Sequence, residues 1–170
     1  MGTYQSYRDK IKDADLLLWR GHGTVARAIQ LFGQYHNHAS LIFEFYKFDT
    51  RRIMLFEALF NGVEPEFLSA RLDRYSGRCW WYPLKNRFND HRGAIYQAAN
   101  NYGGTPYDYK NLFKNAFGYV SADAEKFLCS EYPYICGVDA GLPPSFGLLA
   151  PRPDDLLTLG WWVDEGIELT

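Results

Sequence analysis

One segment of this chain carries the ingredients of nucleophilic chemistry, Lys126-Phe-Leu-Cys129-Ser-Glu131-Tyr. A cysteine just ahead of a helical run sits where unpaired backbone N–H groups and the helix dipole favour a thiolate. A thiolate is the nucleophile a cysteine hydrolase requires, and the same N–H groups help to hold an oxyanion. Against this stands the ordinary fate of a free cysteine, a small buried core residue. Cys136, seven residues on and on the same helical face, reads that way, and so does Cys79 inside an apolar, Trp-rich strand.

A cysteine nucleophile needs a base, and four histidines are available: His22, His36, His38 and His91. His22 lies in a Gly-flanked turn and His91 at a helix start, both solvent positions. His36 and His38 flank Asn37 at the mouth of a strand, and alternation of side chains is expected to give only one of them the working face. His38, followed directly by Ala39-Ser-Leu-Ile42, is the better anchored. Replacing His38 should then abolish function, while replacing His36 or His22 should spare it. Reading His36-x-His38 as half a zinc site fails because no further Cys or His lies at ligand spacing, so no metal or cofactor is expected.

A third group should orient the imidazole. Glu44 stands six residues along the same strand, ~20 Å away, and cannot touch His38. Glu57 lies on the next strand and alternates with Ile53, Leu55 and Leu59, an otherwise apolar face. An acid there is costly unless something pairs with it. His38 is one natural partner across the hairpin; an arginine such as Arg71 or Arg78 is the other.

These residues need elements to position them. Asp15-Leu-Leu-Leu-Trp19 reads as a short buried strand, after which Thr24 can cap a helix with Val25, Ala28, Ile29 and Phe32 on one stripe and Gly33 at its end. His38–Tyr46 and Arg52–Leu59, separated by the polar turn Lys47–Thr50, read as a hairpin. Glu66–Leu72 and Arg78–Leu84 read as two further strands. Asp90 opens a helix with Ala94, Ile95, Ala98, Ala99 and Tyr102 inward, and Asp108 caps another that ends near Gly118. Ser130–Gly137 reads as helix, Gly141–Gly147 as an internal connection, and Asp154–Leu169 as a strand-like return. Helices mixed with an antiparallel sheet, without strict βαβ alternation, place the fold in the α+β class.

The chain's 170 residues suit a single domain over 1–170, and 47% apolar with 22% charged residues suits a packed core. A formal net charge of −2 supplies no electrostatic footprint for nucleic acid or anionic membrane. No apolar run approaches the ~20 residues of a membrane-spanning helix, and the polar start Met1–Lys10 has no signal-peptide core. Three cysteines are too few for a disulfide scaffold. The expectation is a cytoplasmic protein with reduced thiols, released by lysis if it is a phage product.

In this order the motifs resemble the circularly permuted papain-fold amidases of the YiiX/YaeF group, within the NlpC superfamily, whose histidine strand precedes the cysteine helix. The likeness is carried by Ala14-Asp15-Leu-Leu-Leu, Asn37-His38-Ala-Ser-Leu-Ile42, Phe56-Glu57-Ala58 with Gly62-Val63, Pro106-Tyr-Asp108, Cys129-Ser-Glu131 and Pro153-Asp-Asp-Leu156. It spans about residues 13–158. The chain departs from the pattern in lacking a small Gly after the histidine strand begins, and Pro133 sits inside the cysteine helix, where it would mark the helix's first turn. The resemblance implies a permuted papain-like fold and a cysteine hydrolase of cell-wall peptides or other small amides, with Cys129 attacking, His38 carrying the proton and Glu57 holding His38. Acyl transfer or thioester and lipid-ester cleavage by the same trio, or a catalytically inactive binding module, are the alternatives.

Overall fold

Two strands of ten residues each, β2 (His38–Lys47) and β3 (Thr50–Leu59), form the expected hairpin. Its two-residue turn puts Phe48 and Asp49 at positive φ, 47° and 60°, the conformation whose twist matches the flanking strands. The computed structural model describes residues 2–22, 35–59, 62–103, 124–144 and 151–170. Around the hairpin stand β1 (Leu16–Arg20), β4 (Gly62–Phe67), β5 (Arg78–Tyr82) and β6 (Ile167–Glu168). All pair antiparallel, in the order β4-β3-β2-β1-β5-β6. The helices are α1 (Gly2–Tyr7), α2 (Leu68–Arg74), α3 (Arg92–Tyr102), α4 (Ala124–Asp139) and α5 (Asp155–Thr158), with a 3-10 turn over Asn86–His91. The class is α+β, as the sequence pattern implies.

Strand alternation divides the buried side chains into two layers. Leu16, Leu18, Ala39, Leu41, Phe43, Trp80 and Tyr82 face one side, where they meet Tyr132, Ile135 and Cys136 of α4 and Ile95, Ala98 and Ala99 of α3. Leu17, Trp19, Ile42, Ile53, Leu55 and Trp81 face the other, against Tyr4 of α1 and Leu68 of α2. Asp15, just before β1, ties the two layers together, joining Trp81 of the second to Leu84 of the first. Its carboxylate accepts hydrogen bonds from the Trp81 indole at 2.8 Å, the Leu84 amide at 2.9 Å and Arg92 at 2.8 Å. The buried charge therefore has the partners it requires.

Several elements differ from the sequence reading. Glu66–Leu72 is not a strand: β4 ends at Phe67 and α2 follows. Leu68 and Leu72 stand at helical spacing and the intervening Ala70 and Arg71 are good helix formers, so local propensity prevails. The return after Asp154 is the single turn α5, an isolated bridge between Leu84 and Trp162, and the two-residue β6. Helix α4 starts at Ala124, upstream of Cys129, and continues through Pro133. The helices read over Thr24–Gly33 and Asp108–Gly118, and the Pro106-Tyr-Asp108 element, lie outside the described residues. No helix among the described residues is long and apolar enough to cross a membrane.

Helix α4 is seated by a close contact at Gly137, where a Cβ would stand 2.3 Å from Cζ3 of the fully buried Trp161. Gly137→Ala gains up to ~1 kcal/mol of helix propensity. Overpacking against an indole with no room to move costs about 1–3 kcal/mol and should win. The expected result is a lower denaturation midpoint at unchanged slope. A variant as stable as the parent would mean that Trp161 can yield.

Candidate active site

His38 opens β2 and Ser40 follows it on the same face; Glu57 lies near the end of β3. All three share the side of Ile42, Ile53 and Leu55, so an acid with 3% exposure faces an apolar layer. Every oxygen of that acid is engaged. His38 Nε2 donates to Glu57 Oε1 at 3.0 Å, the Ser40 hydroxyl donates to the same oxygen at 3.0 Å, and Arg71 Nε donates to Oε2 at 3.2 Å. Ser40 in turn accepts from the Trp19 indole at 2.7 Å. The Arg71 guanidinium lies over the rings of Trp19 and Tyr75, at 4.9 and 4.7 Å. Both partners named for Glu57 from the sequence, His38 and Arg71, are present together, because a carboxylate has an oxygen for each. Arg78 pairs instead with Glu168.

Cys129 comes from the opposite layer and meets His38 where the ladder between β2 and β3 has ended. The paired register runs only from Lys47↔Thr50 to Leu41↔Phe56. Beyond it, β2 stays paired with β1 through Trp19↔His38, and β3 with β4 through Leu59↔Gly62. The amide of Ala39, a residue paired with Leu18 of β1 but beyond the ladder with β3, donates to the Cys129 sulfur, which also shares a hydrogen bond with the His38 imidazole. With Nε2 committed to Glu57, Nδ1 is the nitrogen that faces the sulfur.

The electrostatics follow from this contact. Burial alone would raise the Cys129 thiol, but the facing His38 charge, its hydrogen bond and the Ala39 amide hold it below its ordinary value. Burial likewise opposes charge on His38. The adjacent sulfur and Glu57 outweigh it and raise the imidazole from 6.5 to about 10. Glu57, penalised by burial, is brought down to about 2 by His38, Arg71 and Ser40. Each shift stabilises the charged form of its neighbour, the condition for a thiolate–imidazolium pair.

Cys129 does not stand at a helix N-terminus as its motif suggests. With α4 beginning at Ala124, its amide belongs to the hydrogen-bonded ladder rather than to the free N–H groups of the first turn. The dipole contributes little that far along. Pro133, placed well inside α4 rather than in its first turn, has no N–H to offer the Cys129 carbonyl. Glu131, the acid of the same motif, is buried and pushed up to about 7 by desolvation.

The other candidates sort as follows. His22 is exposed, and His91 is half-buried with its Nδ1 2.9 Å from the Ala140 carbonyl. Cys79 and Cys136 are buried, with thiols raised well above the ordinary range by burial. His36 is buried, its Nδ1 donating to Asp154 at 2.5 Å among the rings of Tyr35, Trp80 and Tyr82. Alternation is not what separates it from His38, since residues two apart share a face in a strand. The strand begins only at His38, and Asn37 is held aside by its amide bond to the Trp19 carbonyl and its side-chain bond from the Gly21 amide. Sequence reasoning passed over Ser40 and Trp19, although a serine two residues from His38 on a buried face was the available sign. No group of three or more potential metal ligands occurs among the described residues.

Compared with protein-family models and with curated proteins, the chain matches none. The arrangement must therefore speak through its geometry.

Glu57's value in the fold lies below its ordinary 4.5, so the stability its ionisation contributes is present above 4.5 and is lost as pH falls toward 2. Glu57→Gln keeps the shape and removes the charge. The stability gap between the two proteins should be about 3 kcal/mol near neutral pH. It should narrow as pH falls from 4.5 toward about 2, read by urea unfolding at each pH. A gap independent of pH would mean that the fold leaves the acidity of Glu57 unchanged, and a gap that closes or reverses as pH rises past 4.5 would mean that Glu57 is protonated in the fold.

Proposed function

We propose that the chain is a cysteine hydrolase of amide bonds on a permuted papain-like fold, with Cys129 as nucleophile, His38 as proton carrier and Glu57 as the group that orients His38. The observation that carries this reading is the lowered Cys129 thiol in hydrogen-bond contact with a His38 whose other nitrogen is held by Glu57. A core cysteine needs no such partner. The order of the three residues along the chain, and an antiparallel sheet with helices against it, agree with the resemblance to the YiiX/YaeF group.

In this mechanism the Cys129 thiolate attacks the amide carbonyl carbon and the carbonyl π electrons move to oxygen. As the tetrahedral adduct collapses, the C–N bond breaks and the His38 imidazolium gives its proton to the leaving amine. A water molecule then attacks the thioester and loses a proton to the neutral imidazole. The acid departs and the thiolate–imidazolium pair is restored. Glu57 keeps the ring aligned and stabilises its charged form throughout. Because the Cys129 amide is held in its helix, donors to the oxyanion must come from elsewhere.

The reading implies that a thiol-reactive probe labels Cys129 at neutral pH and spares Cys79 and Cys136, as peptide mapping would show. Cys129→Ala and His38→Ala should abolish turnover of small peptide amides, and Glu57→Gln should lower kcat with KM little changed. Preferential cleavage of acyl esters or thioesters over amides would move the protein to the lipid-ester or acyl-transfer class. Failure of the probe to label Cys129 would leave a binding module and end the enzyme reading.

A further inference from the structure

The two segments that carry the reacting groups are anchored to one short turn, Pro151–Asp154. From the nucleophile's side, the Ser130 hydroxyl, next to Cys129, donates to the Pro151 carbonyl at 2.6 Å. From the histidine's side, Asp154 receives both backbone and side chain of the residues leading into β2. The Tyr35 amide donates to Asp154 Oδ2 at 2.5 Å, the His36 amide lies 3.3 and 3.4 Å from its two oxygens, and His36 Nδ1 donates to Oδ1 at 2.5 Å. The turn is itself held. The Arg152 amide donates to Asp155, the Asp155 amide donates back to the Arg152 carbonyl, and Leu156 is fully buried.

His36 has little freedom to leave. It is 5% exposed, with Trp80, Tyr35 and Tyr82 edge-to-face around it at 5.0, 4.9 and 6.1 Å. Its Nε2 is buried and has no hydrogen-bond partner among the described residues. The ring is thus fixed by Asp154 on one side and by the aromatic cage on the others, two residues before His38.

We propose that Asp154 and His36 are positioning residues: together with Ser130 they make the Pro151–Asp154 turn a bracket across α4 and the start of β2 that sets the approach of the Cys129 sulfur to His38. The proposal rests on the reading of Cys129 and His38 as a reacting pair. Core packing and the contacts of His38 and Ala39 with Cys129 also join α4 to β2, and the turn adds hydrogen bonds to the residues beside each reacting group. The ladder between β2 and β3 has already ended there, so sheet hydrogen bonding does not hold His38 against the β3 side. A displacement of about 1 Å at such a pair costs on the order of 100-fold in rate.

The test is the rate of S-alkylation of Cys129 by iodoacetamide as a function of pH, with the modified cysteine identified by mass spectrometry and melting measured in parallel. The groups facing the sulfur are His38 from β2, the Ala39 amide and, on its own helix, Ser130. Asp154→Asn and His36→Ala are each expected to slow alkylation at neutral pH by about 10- to 100-fold. Each should also move the midpoint of its pH profile up toward that of a free thiol. The double variant should be no slower than the worse single one. His36→Asn, whose amide can place a donor where Nδ1 stands, should recover much of the rate. Should Asp154→Asn not fold, His36→Ala and His36→Asn read the same bracket from its other side. Variants that melt earlier yet, below their melting points, alkylate at the parent rate with the parent profile would overturn the proposal and leave Asp154 and His36 as fold-holding residues. A parent protein whose Cys129 itself shows the profile of a free thiol would overturn the reacting-pair reading, an outcome distinct from equal reactivity of parent and variants.

Discussion

A carboxylate buried in an apolar layer must have every oxygen occupied or the fold pays several kcal/mol, and Glu57 is such a group. Its three donors, His38, Ser40 and Arg71, arrive from β2 and α2, and the two that are not His38 are fixed by one residue. Trp19 gives its indole N–H to Ser40 and its ring face to Arg71. An abundance of aromatic residues thus has a specific use here: a rigid, amphipathic ring sets two hydrogen-bond donors at once. Through Glu57 that rigidity passes to the His38 ring, and from there to the sulfur.

The site lies where it does because an antiparallel sheet offers few ways for a helix on one face to reach a side chain on the other. Within a continuous ladder, the β2 side chains open to α4 would be those of its own layer, Ala39, Leu41 and Phe43. Where the pairing between β2 and β3 ends while β2 stays on β1 and β3 on β4, the two layers can touch. The Ala39 amide fills the gap by bonding the sulfur. A local loss of strand pairing is thereby compensated by an interaction that also favours a thiolate.

Much of this was legible in the sequence, and the exceptions have physical causes. Glu57 betrayed itself as an acid in phase with Ile53 and Leu55, since burial of a charge demands a partner whatever the fold. Preferring His38 over His36 by alternation rests on a mistaken ground: two residues apart share a face, and a strand boundary between them, which alternation cannot reveal, separates their surroundings. The start of α4 was placed six residues late because the reading followed the motif and took Pro133 for a first-turn proline. Asp123, a cap-type residue directly before Ala124, was the sign available. Taking Glu66–Leu72 for a strand gave weight to β-compatible neighbours over the i,i+4 pair of leucines. The bracketing role of Asp154 had no local sign, because its partners stand 118 and 119 residues away.

The three cysteines make the decisive comparison, because the fold buries them all and yet drives them in opposite directions. Around Cys79 the nearest charges include Glu57 and Glu168, which add to the penalty of burial, with Arg71 only partly offsetting them. Cys136, on the same helical face as Cys129, has the Asp139 charge adding to burial and only a hydrogen bond with Tyr132 and a backbone bond to oppose it. Cys129 alone faces an imidazole, and that imidazole is kept charged by an acid which Arg71 and Ser40 keep charged in turn. Burial, helix membership and residue type are shared by Cys129 and Cys136, so none of these accounts for the difference. What distinguishes the two thiols is the chain of donors that ends at Trp19, on the far side of the sheet from the helix that carries them both.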